Sequence, residues 1–237
     1  MLTDFHSHIL PEMDDGASDV EESLKLLSML KASGAERVVL TSHFYRHDEN
    51  IEKFLSRREK SYQKLLEATK AVPDCPELVL GAEVYFYPSL SSDPDFKKLC
   101  IGETEYMLLE LPFEHFYDSF FSDFAKFMNR CKCKIILAHI ERYMRFGNTQ
   151  KEFDRILSMG DIICQMNCTS IAKAGFFERR KLLSMISDGT IKLLGTDTHN
   201  VTSRPPMLGE AKEIIVKKCG MPALEDIIRA GDSILNR

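Results

Sequence analysis

Seven short apolar runs alternate with longer amphipathic stretches along the chain, and this alternation constrains the fold more than any other feature. Each run is rich in β-branched residues and too short to form an independent helix. The runs are Leu2–Phe5, Arg37–Thr41, Leu78–Ala82, Tyr106–Glu110, Lys134–Ala138, Ile162–Met166 and Ile191–Gly195. Strands that alternate with helices pair in parallel through right-handed crossovers. The pattern therefore predicts an α/β fold with seven parallel strands.

The stretches between the runs have leucines three and four residues apart, which is typical of amphipathic helices. One helix is predicted at Ser18–Ser33, with a capping box formed by its first residue and Glu21. A strongly charged helix is predicted at Glu49–Ala71. Residues 209–237 predict two further helices, which divide at Gly220-Met221-Pro222 and are expected to pack on the outside of the fold.

No linker rich in Pro, Gly or Ser divides the 237 residues. Residues 1–237 are therefore predicted to form a single domain closed into a barrel, a common architecture at this length. Periodicity does not distinguish such a barrel from an open doubly wound sheet, which is the alternative. The loop-rich segments Pro88–Pro94, Glu114–Ser119 and Thr202–Pro206 are expected to surround a site.

Composition excludes several classes of partner. The net charge of −5 offers no general attraction for nucleic acid. No uncharged apolar run approaches the roughly 18 residues of a membrane span, and the first residues do not resemble a signal peptide. The seven cysteines are odd in number and scattered, which suits a reducing compartment and buried thiols. We therefore expect a cytoplasmic protein with no membrane insertion and no nucleic-acid partner.

Side chains that can bind metals lie at the ends of six of the seven predicted strands. They are His6, His8, His43, Glu83, Glu110, His139, Asp197 and His199. The carboxyl ends of parallel strands, with the loops that follow, are where α/β folds build active sites. A single histidine at a strand end is more often structural than a ligand, but the joint pattern is not explained in that way. Together these residues predict a polynuclear metal site.

Several short motifs occur in the order found in the PHP (polymerase and histidinol phosphatase) superfamily. Within it, the chain resembles the bacterial manganese-dependent protein-tyrosine phosphatases of capsule and exopolysaccharide gene clusters. The motifs are Asp4-Phe5-His6-Ser7-His8, Asp14-Asp15-Gly16, Thr41-Ser42-His43, Gly81-Ala82-Glu83-Val84-Tyr85, Ala138-His139-Ile140-Glu141-Arg142-Tyr143, Asp197-Thr198-His199-Asn200 and Arg204-Pro205-Pro206.

The resemblance implies a PHP fold, a distorted TIM-like (β/α)7 barrel, that holds three divalent metal ions, with manganese expected. By matching motif positions, the first ion would take His6, His8, Glu83 and Asp197. The second would take Glu83 as a bridge, Glu110 and His139. The third would take Asp15, His43 and His199. Asp14 is expected to support a ligand or form a turn, because the family's ligand is the acid next to glycine. His47 and His115 match no ligand position.

The ligand types agree with this assignment. Mixed imidazole and carboxylate ligands suit manganese, iron or zinc, and the clustered positions include no cysteine. A carboxylate shared by two ions, as expected of Glu83, holds them a few ångströms apart, and a bridging hydroxide between them would attack phosphorus.

Arg142 and Arg204 follow ligand motifs closely and are expected to bind the phosphate, although a surface salt bridge is the alternative for both. A metal-bound water or an imidazole, with His199 as candidate, would protonate the leaving tyrosinate.

Cysteine-dependent phosphatase chemistry is excluded, because no cysteine is followed by an arginine six residues later. An aromatic segment follows Glu110. Its later members, Phe120, Phe121 and Phe124, are interpreted as the buried face of the next helix. Phe113, Phe116 and Tyr117 remain candidates for a slot that receives a phosphotyrosine ring.

The sequence thus predicts a metal-dependent protein-tyrosine phosphatase. Its expected partner is the tyrosine-phosphorylated tail of a bacterial kinase that governs capsular or exopolysaccharide synthesis. The alternative within the same fold is a phosphatase of a small phosphomonoester such as histidinol phosphate. The alternative from another class is a catalytically silent PHP module that binds a partner.

Overall fold

The computed structural model describes residues 1–236. Its strands are β1 Thr3–Ser7, β2 Arg37–Leu40, β3 His43–Phe44, β4 Glu77–Leu80, β5 Glu83–Tyr85, β6 Tyr106–Glu110, β7 Lys134–Leu137, β8 Ile162–Asn167 and β9 Ile191–Gly195. Its α-helices are α1 Val20–Ala32, α2 Ile51–Thr69, α3 Asp118–Arg130, α4 Ile140–Tyr143, α5 Gln150–Leu157, α6 Cys168–Lys173, α7 Phe176–Ser187, α8 Leu208–Cys219 and α9 Met221–Leu235. Short 3-10 turns occupy Leu90–Ser92, Phe96–Leu99 and Met144–Phe146.

The strands pair in parallel in two adjoining sheets, ordered β1-β2-β4 and β3-β5-β6-β7-β8-β9. All seven predicted strands are present, with ends that differ by at most two residues. The sequence missed β3 and β5. Strand β2 ends before Thr41-Ser42, and β3 begins directly after these two residues. Strands β4 and β5 are separated in the same way by Gly81-Ala82. The interruptions matter because each short strand begins with a predicted metal ligand.

The carboxyl ends of β1 and β9, with the residues that follow them, lie side by side. The amide of Asp197 donates a hydrogen bond of 2.7 Å to the His6 carbonyl, and the amide of His8 donates one of 2.9 Å to the Thr198 carbonyl. An isolated parallel bridge pairs Ser7 with Thr198. The first and last strands therefore meet at their carboxyl ends, within one mixed α/β fold.

Two apolar clusters form the core because successive side chains of a strand point to opposite faces. The larger cluster packs helices against the strands, and includes Val38, Leu109 and Leu137. The smaller cluster takes side chains from the alternate faces of five strands, from the chain beside them at Ile101 and Ala138, and from α9. Its members are Phe5, Val39, Ile101, Tyr106, Leu108, Ile136, Ala138, Leu193 and Ile234. These strands are therefore apolar on both faces, as is typical of parallel sheets that are buried on both sides.

The two C-terminal helices are confirmed, but the expectation that both pack on the outside is wrong for α9. Its Ile234 belongs to the smaller cluster, and a Cβ at Gly231 would lie 2.8 Å from Cε2 of Phe5. The guanidinium of Arg37, at the start of β2, donates a hydrogen bond to Asn236, just beyond α9. The helix therefore packs against the amino ends of the strands, and glycine permits its close approach.

The predicted cap of the first helix is wrong by one residue. Asp19 caps α1 by accepting a hydrogen bond of 2.8 Å from the amide of Glu22. Ser18 instead donates its hydroxyl to the Glu22 carboxylate. The predicted loop Pro88–Pro94 contains a 3-10 turn. Within residues 1–236, no helix has the length and apolarity to cross a bilayer.

We expect Ile234→Ala to lower the free energy of unfolding by about 2–5 kcal/mol, because it removes a fully buried side chain from the smaller cluster. Met221→Ala, in the same helix but 51% exposed, is the matched control and should change it by less than about 0.5 kcal/mol. Urea unfolding measures both. Equal stability of the two variants would show that α9 does not seal the core.

Candidate metal centre

The structure brings all nine predicted metal ligands into one cluster at the carboxyl ends of the strands. The candidate donor atoms form three sets, and the atoms within each set lie no more than 4.8 Å from one another. They are His8 with Asp15, His43 and His199; His6 with His8 and Glu83; and His43 with Glu83 and Glu110. Nε2 of His139 lies 2.9 Å from Glu83 Oε1 and 3.3 Å from Glu110 Oε1. Asp197 Oδ1 lies 3.5 Å from Nε2 of His8.

The carboxylate of Glu83 is the centre of this cluster. Its Oε2 lies 3.1 Å from His6 Nε2, 3.3 Å from His8 Nε2 and 2.9 Å from His43 Nδ1. None of these contacts gives Oε2 a hydrogen bond of acceptable geometry. Burial alone would raise the pKa of Glu83, but the neighbouring His6 and His43 hold it well below its usual range. A buried, ionised oxygen surrounded by nitrogen donors suits a bridging metal ligand.

Three of the imidazoles are held through Nδ1, so that Nε2 points into the cluster. Nδ1 of His8 lies 2.8 Å from Asp14 Oδ2, and Nδ1 of His199 lies 3.0 Å from the Asp197 carbonyl. Nδ1 of His6 lies 3.2 Å from Gln165 Oε1. Each partner is an oxygen acceptor, so Nδ1 carries the proton and Nε2 is left as a ligand. Such outer hydrogen bonds are typical of metal-binding histidines.

His199 has the environment of a metal ligand. Its Nε2 is buried and has no hydrogen-bond partner within the described residues. Burial and the nearby His8 lower the pKa of His199 to about 4, which leaves the ring neutral at pH 7. A neutral ring with an unprotonated Nε2 can bind a metal.

The loop after β1 supports the cluster as the sequence predicts for Asp14. One carboxylate oxygen accepts hydrogen bonds from His8 Nδ1 and the His43 amide, both of 2.8 Å, and the other accepts from the Gly16 amide at 3.0 Å. Glycine is required at position 16, because a Cβ there would lie 2.1 Å from the His8 carbonyl oxygen. The turn thereby brings Asp15, which is largely exposed, to 3.2 Å from His199 Nε2.

Strand β8 holds residues that sequence reasoning missed. Gln165 Oε1 accepts a hydrogen bond of 2.8 Å from the His139 amide as well as the contact from His6. Its Nε2 donates to Asn167 Oδ1 at 2.9 Å, and Asn167 Nδ2 donates to Asp197 Oδ2 at 2.8 Å. The two buried amides therefore connect three predicted ligands. The Gln-x-Asn spacing, with both side chains on one strand face, was the available signal.

The two predicted phosphate-binding arginines converge on Asp197. Nη2 of Arg142 lies 2.6 Å from Oδ2, and Nη2 of Arg204 lies 2.8 Å from Oδ1. Burial would raise the pKa of Asp197, but His6 and Arg142 hold it well below its usual range. The backbone carbonyl of Arg204 accepts hydrogen bonds from the His199 amide and the Thr198 hydroxyl. This folds the predicted loop Thr202–Pro206 back onto the site.

Two predicted ligands have left-handed backbones, with φ of 32° at His139 and 52° at Asp197. Non-glycine residues rarely adopt this conformation, and it costs free energy that the surrounding structure must supply. Both residues lie two positions beyond a strand end, where the chain turns. The turns direct both side chains into the cluster.

The structure separates the candidate aromatics. Phe113 is 38% exposed and stacks on His139, with ring centroids 5.5 Å apart, and on Phe146 at 5.6 Å. Phe116 is buried in the core, so it cannot line an open slot, and Tyr117 lies exposed against His115. Phe121 and Phe124 are buried and Phe120 packs partly buried beside them, which confirms the interpretation of a buried helix face.

The cluster is flanked by two cavities of opposite character. One, of about 400 Å³, is lined by Asp14, Asp15, Asp48 and Glu49 together with His43, Tyr45, Met13 and Arg57. The other, of about 220 Å³, is lined by Arg142, Arg204 and further cations. An anion would therefore be attracted from the side of the arginines.

His47 and His115 stay outside the cluster, as the sequence predicts. The seven cysteines are free thiols, and none belongs to the candidate metal groups within residues 1–236. Five of them are buried, which agrees with their interpretation as apolar core residues.

Comparison with known proteins identifies the family. A model of the family described as "Capsular polysaccharide synthesis, CpsB/CapC" matches residues 2–235. The chain belongs to this family. The resemblance to the phosphatases of capsule gene clusters is therefore confirmed.

Named relatives of the chain are tyrosine phosphatases. Tyrosine-protein phosphatase CpsB of Streptococcus pneumoniae is 27% identical over 233 residues, which cover 95% of this chain and 94% of that protein. Tyrosine-protein phosphatase YwqE of Bacillus subtilis is 25% identical over 232 residues, which cover 92% of this chain and 85% of that protein.

A solved structure shares the fold. It comes from the metal-dependent tyrosine phosphatases YwqE of Bacillus subtilis and CpsB of Streptococcus pneumoniae, and matches with a TM-score of 0.84. The match covers 99% of this chain and 94% of that chain, at 22% sequence identity. At this identity the likeness establishes the fold.

We expect Gln165→Leu to weaken the binding of divalent metal ions about 10- to 100-fold, because His6, His139 and Asn167 all lose a hydrogen-bond partner. Gln63→Leu, on the exposed face of α2, is the matched control and should bind as the parent does. Titration calorimetry measures the affinity, and circular dichroism checks that both variants fold. Parent-like affinity in Gln165→Leu would refute the role of this amide.

Proposed function

We propose that the chain is a metal-dependent protein-tyrosine phosphatase. Its substrate would be the phosphotyrosine-bearing tail of a bacterial kinase that governs capsular polysaccharide synthesis. The observation that carries the proposal is the position of Arg142 and Arg204, which converge on Asp197 beside the buried imidazole and carboxylate cluster. Membership of the CpsB/CapC family and relatives named as tyrosine-protein phosphatases support the same activity.

The cluster would hold three divalent ions, with manganese as the expected metal and iron or zinc suited to the same ligands. The three sets of candidate donors support this number. Glu83 would bridge the first two ions, because its two oxygens face different imidazoles: Oε1 lies near His139, and Oε2 lies near His6 and His43. The candidate group that corresponds to the third ion contains His8 in addition to Asp15, His43 and His199. The group that corresponds to the second ion contains His43 with Glu83 and Glu110, and His139 lies within 3.3 Å of both carboxylates.

Divalent ions at such a site make water nucleophilic near neutral pH and neutralise the oxygens of a phosphate ester. The remaining steps are assigned to the chain's own residues. Arg142 and Arg204, each about one-third exposed, would bind the phosphate oxygens with planar guanidinium groups. Phe113 would pack against the substrate ring, since it stacks on His139 and is accessible.

We further propose that the two sheets together form the distorted seven-stranded barrel of the PHP fold. Counting β3 and β5 as continuations of β2 and β4 leaves seven strands, as the sequence predicts. The contact between the ends of β1 and β9 would close the ring. The smaller apolar cluster supports this arrangement, because most of its side chains come from β1, β2, β6, β7 and β9 and would fill the interior.

Metal dependence is the first test of the proposal. We expect purified protein with Mn²⁺ to hydrolyse a phosphotyrosyl peptide, to lose this activity in chelator and to regain it when Mn²⁺ is restored. Glu83→Gln should lower the number of manganese ions bound per chain, measured by mass spectrometry of the metal, because the amide cannot bridge two cations. Glu67→Gln, on the exposed surface of α2, is the control.

Full activity in chelator would contradict the metal mechanism. Faster turnover of a small phosphomonoester such as histidinol phosphate would favour the small-molecule alternative instead. Protein that binds manganese but hydrolyses neither substrate would favour the catalytically silent module.

Substitution of the arginines tests how the phosphate is bound. We expect Arg142→Ala and Arg204→Ala to lower kcat/KM for a phosphotyrosyl peptide about 10- to 100-fold, because the phosphate loses its orientation. Arg142→Lys and Arg204→Lys should recover only part of the rate, since lysine keeps the charge but loses the two-pronged contact. Arg155→Ala, at an exposed ion pair with Asp118, is the control. Parent-like kinetics in both alanine variants would show that the arginines are structural.

A further inference from the structure

The cavity of about 220 Å³ beside the arginines extends beyond the residues that the proposed reaction uses. On one side it is lined by Arg142, Arg204 and Asp197. On the other it is lined by α6, through Thr169, Ser170 and Lys173, and by the first turn of α7, through Glu178. Arg145 also lines it. The cavity thus joins the metal centre to a second group of polar side chains.

Positive charge is in excess around this cavity. Four cations, Arg142, Arg145, Lys173 and Arg204, line it together with two acids, Asp197 and Glu178. Asp197 is buried and already bonded to Arg142 and Arg204. The exposed Glu178 contacts Arg145 at 3.2 Å. Ion pairs between exposed side chains are weak, so a phosphate or carboxylate can displace Glu178 from Arg145.

Local helical geometry places the additional cations next to the proposed phosphate site. Arg142 and Arg145 are three residues apart on consecutive turns, which puts both side chains on the same side. Thr169, Ser170 and Lys173 share one face of α6 by the same rule. Arg145 therefore lies about one helical turn, roughly 5 Å along the axis, from Arg142. Lys173 lines the same cavity from α6. Successive residues of an extended peptide are about 3.3 Å apart, so a residue adjacent to the phosphotyrosine can reach it.

We propose that Arg145 and Lys173 form an anion-binding subsite for a second negative group of the substrate, close to the phosphotyrosine. The group is a second phosphate or a carboxylate. The subsite rests on the phosphatase function proposed above and specifies its substrate as a densely acidic or multiply phosphorylated segment. Glu178 competes with that group for Arg145 and so limits the affinity of the subsite.

Peptide kinetics test the subsite. Three peptides are compared, each with one phosphotyrosine: one has neutral flanks, one has glutamate flanks and one carries a phosphoserine beside the phosphotyrosine. The readout is the ratio of kcat/KM for each acidic peptide to that for the neutral peptide. We expect Arg145→Ala and Lys173→Ala each to lower this ratio about 3- to 10-fold, because each removes one charge from the subsite.

Glu178→Gln should raise the same ratio about twofold, because it removes the competitor for Arg145. Lys181→Ala, which removes an exposed cation from α7 away from this cavity, is the control and should leave the ratio unchanged. An effect on the glutamate peptide alone would identify the second group as a carboxylate. An effect on the doubly phosphorylated peptide alone would identify it as a phosphate. Either result supports the subsite.

Parent-like ratios in Arg145→Ala, Lys173→Ala and Glu178→Gln, with active protein, would overturn the subsite alone. Parent protein that hydrolyses none of the three peptides in the presence of Mn²⁺ would overturn the phosphatase function, and the subsite with it. The two failures are therefore distinguishable in one set of measurements.

Discussion

The rest of the site depends on one buried carboxylate. Glu83 lies among the imidazoles of His6, His8, His43 and His139, at distances of 2.9 to 3.3 Å. A carboxylate removed from water is stable only where charges or ligands compensate it, and here the compensation comes from three separate segments of the chain. The strand ends that carry these residues must therefore meet at one point. The interruption between β4 and β5 places Glu83 at that point.

Much of the surrounding structure serves to orient this cluster. Gly16 and Gly195 leave space where a Cβ would collide with His8 and His6, respectively. The left-handed backbones of His139 and Asp197 turn two ligands inward at a cost in backbone energy. The side-chain amides of Gln165 and Asn167 form hydrogen bonds to His6, His139 and Asp197. This combination of strain, close packing and satisfied amides is typical of a site whose geometry is fixed before a ligand arrives.

The charged side chains around the cluster are distributed unevenly. Acidic side chains line the cavity on the side of Asp15, whereas cations line the cavity on the side of Arg142. A dianionic phosphate ester is attracted to the second side and repelled from the first. Arg145 and Lys173 extend the attractive side away from the metal centre, so the same electrostatic asymmetry that orients the phosphate also selects what accompanies it.

The sequence by itself determined the seven main strands, their parallel pairing and the metal-binding residues at their ends. It could do so because side-chain periodicity and ligand chemistry are local properties. Only the tertiary structure placed Gln165 against His6, a contact between residues 159 positions apart, since it depends on the register of the strands. The packing of Ile234 inside the smaller cluster and the pairing of both arginines with Asp197 were likewise decided by the tertiary structure. Side-chain periodicity does not indicate which residues far apart in the sequence will be in contact.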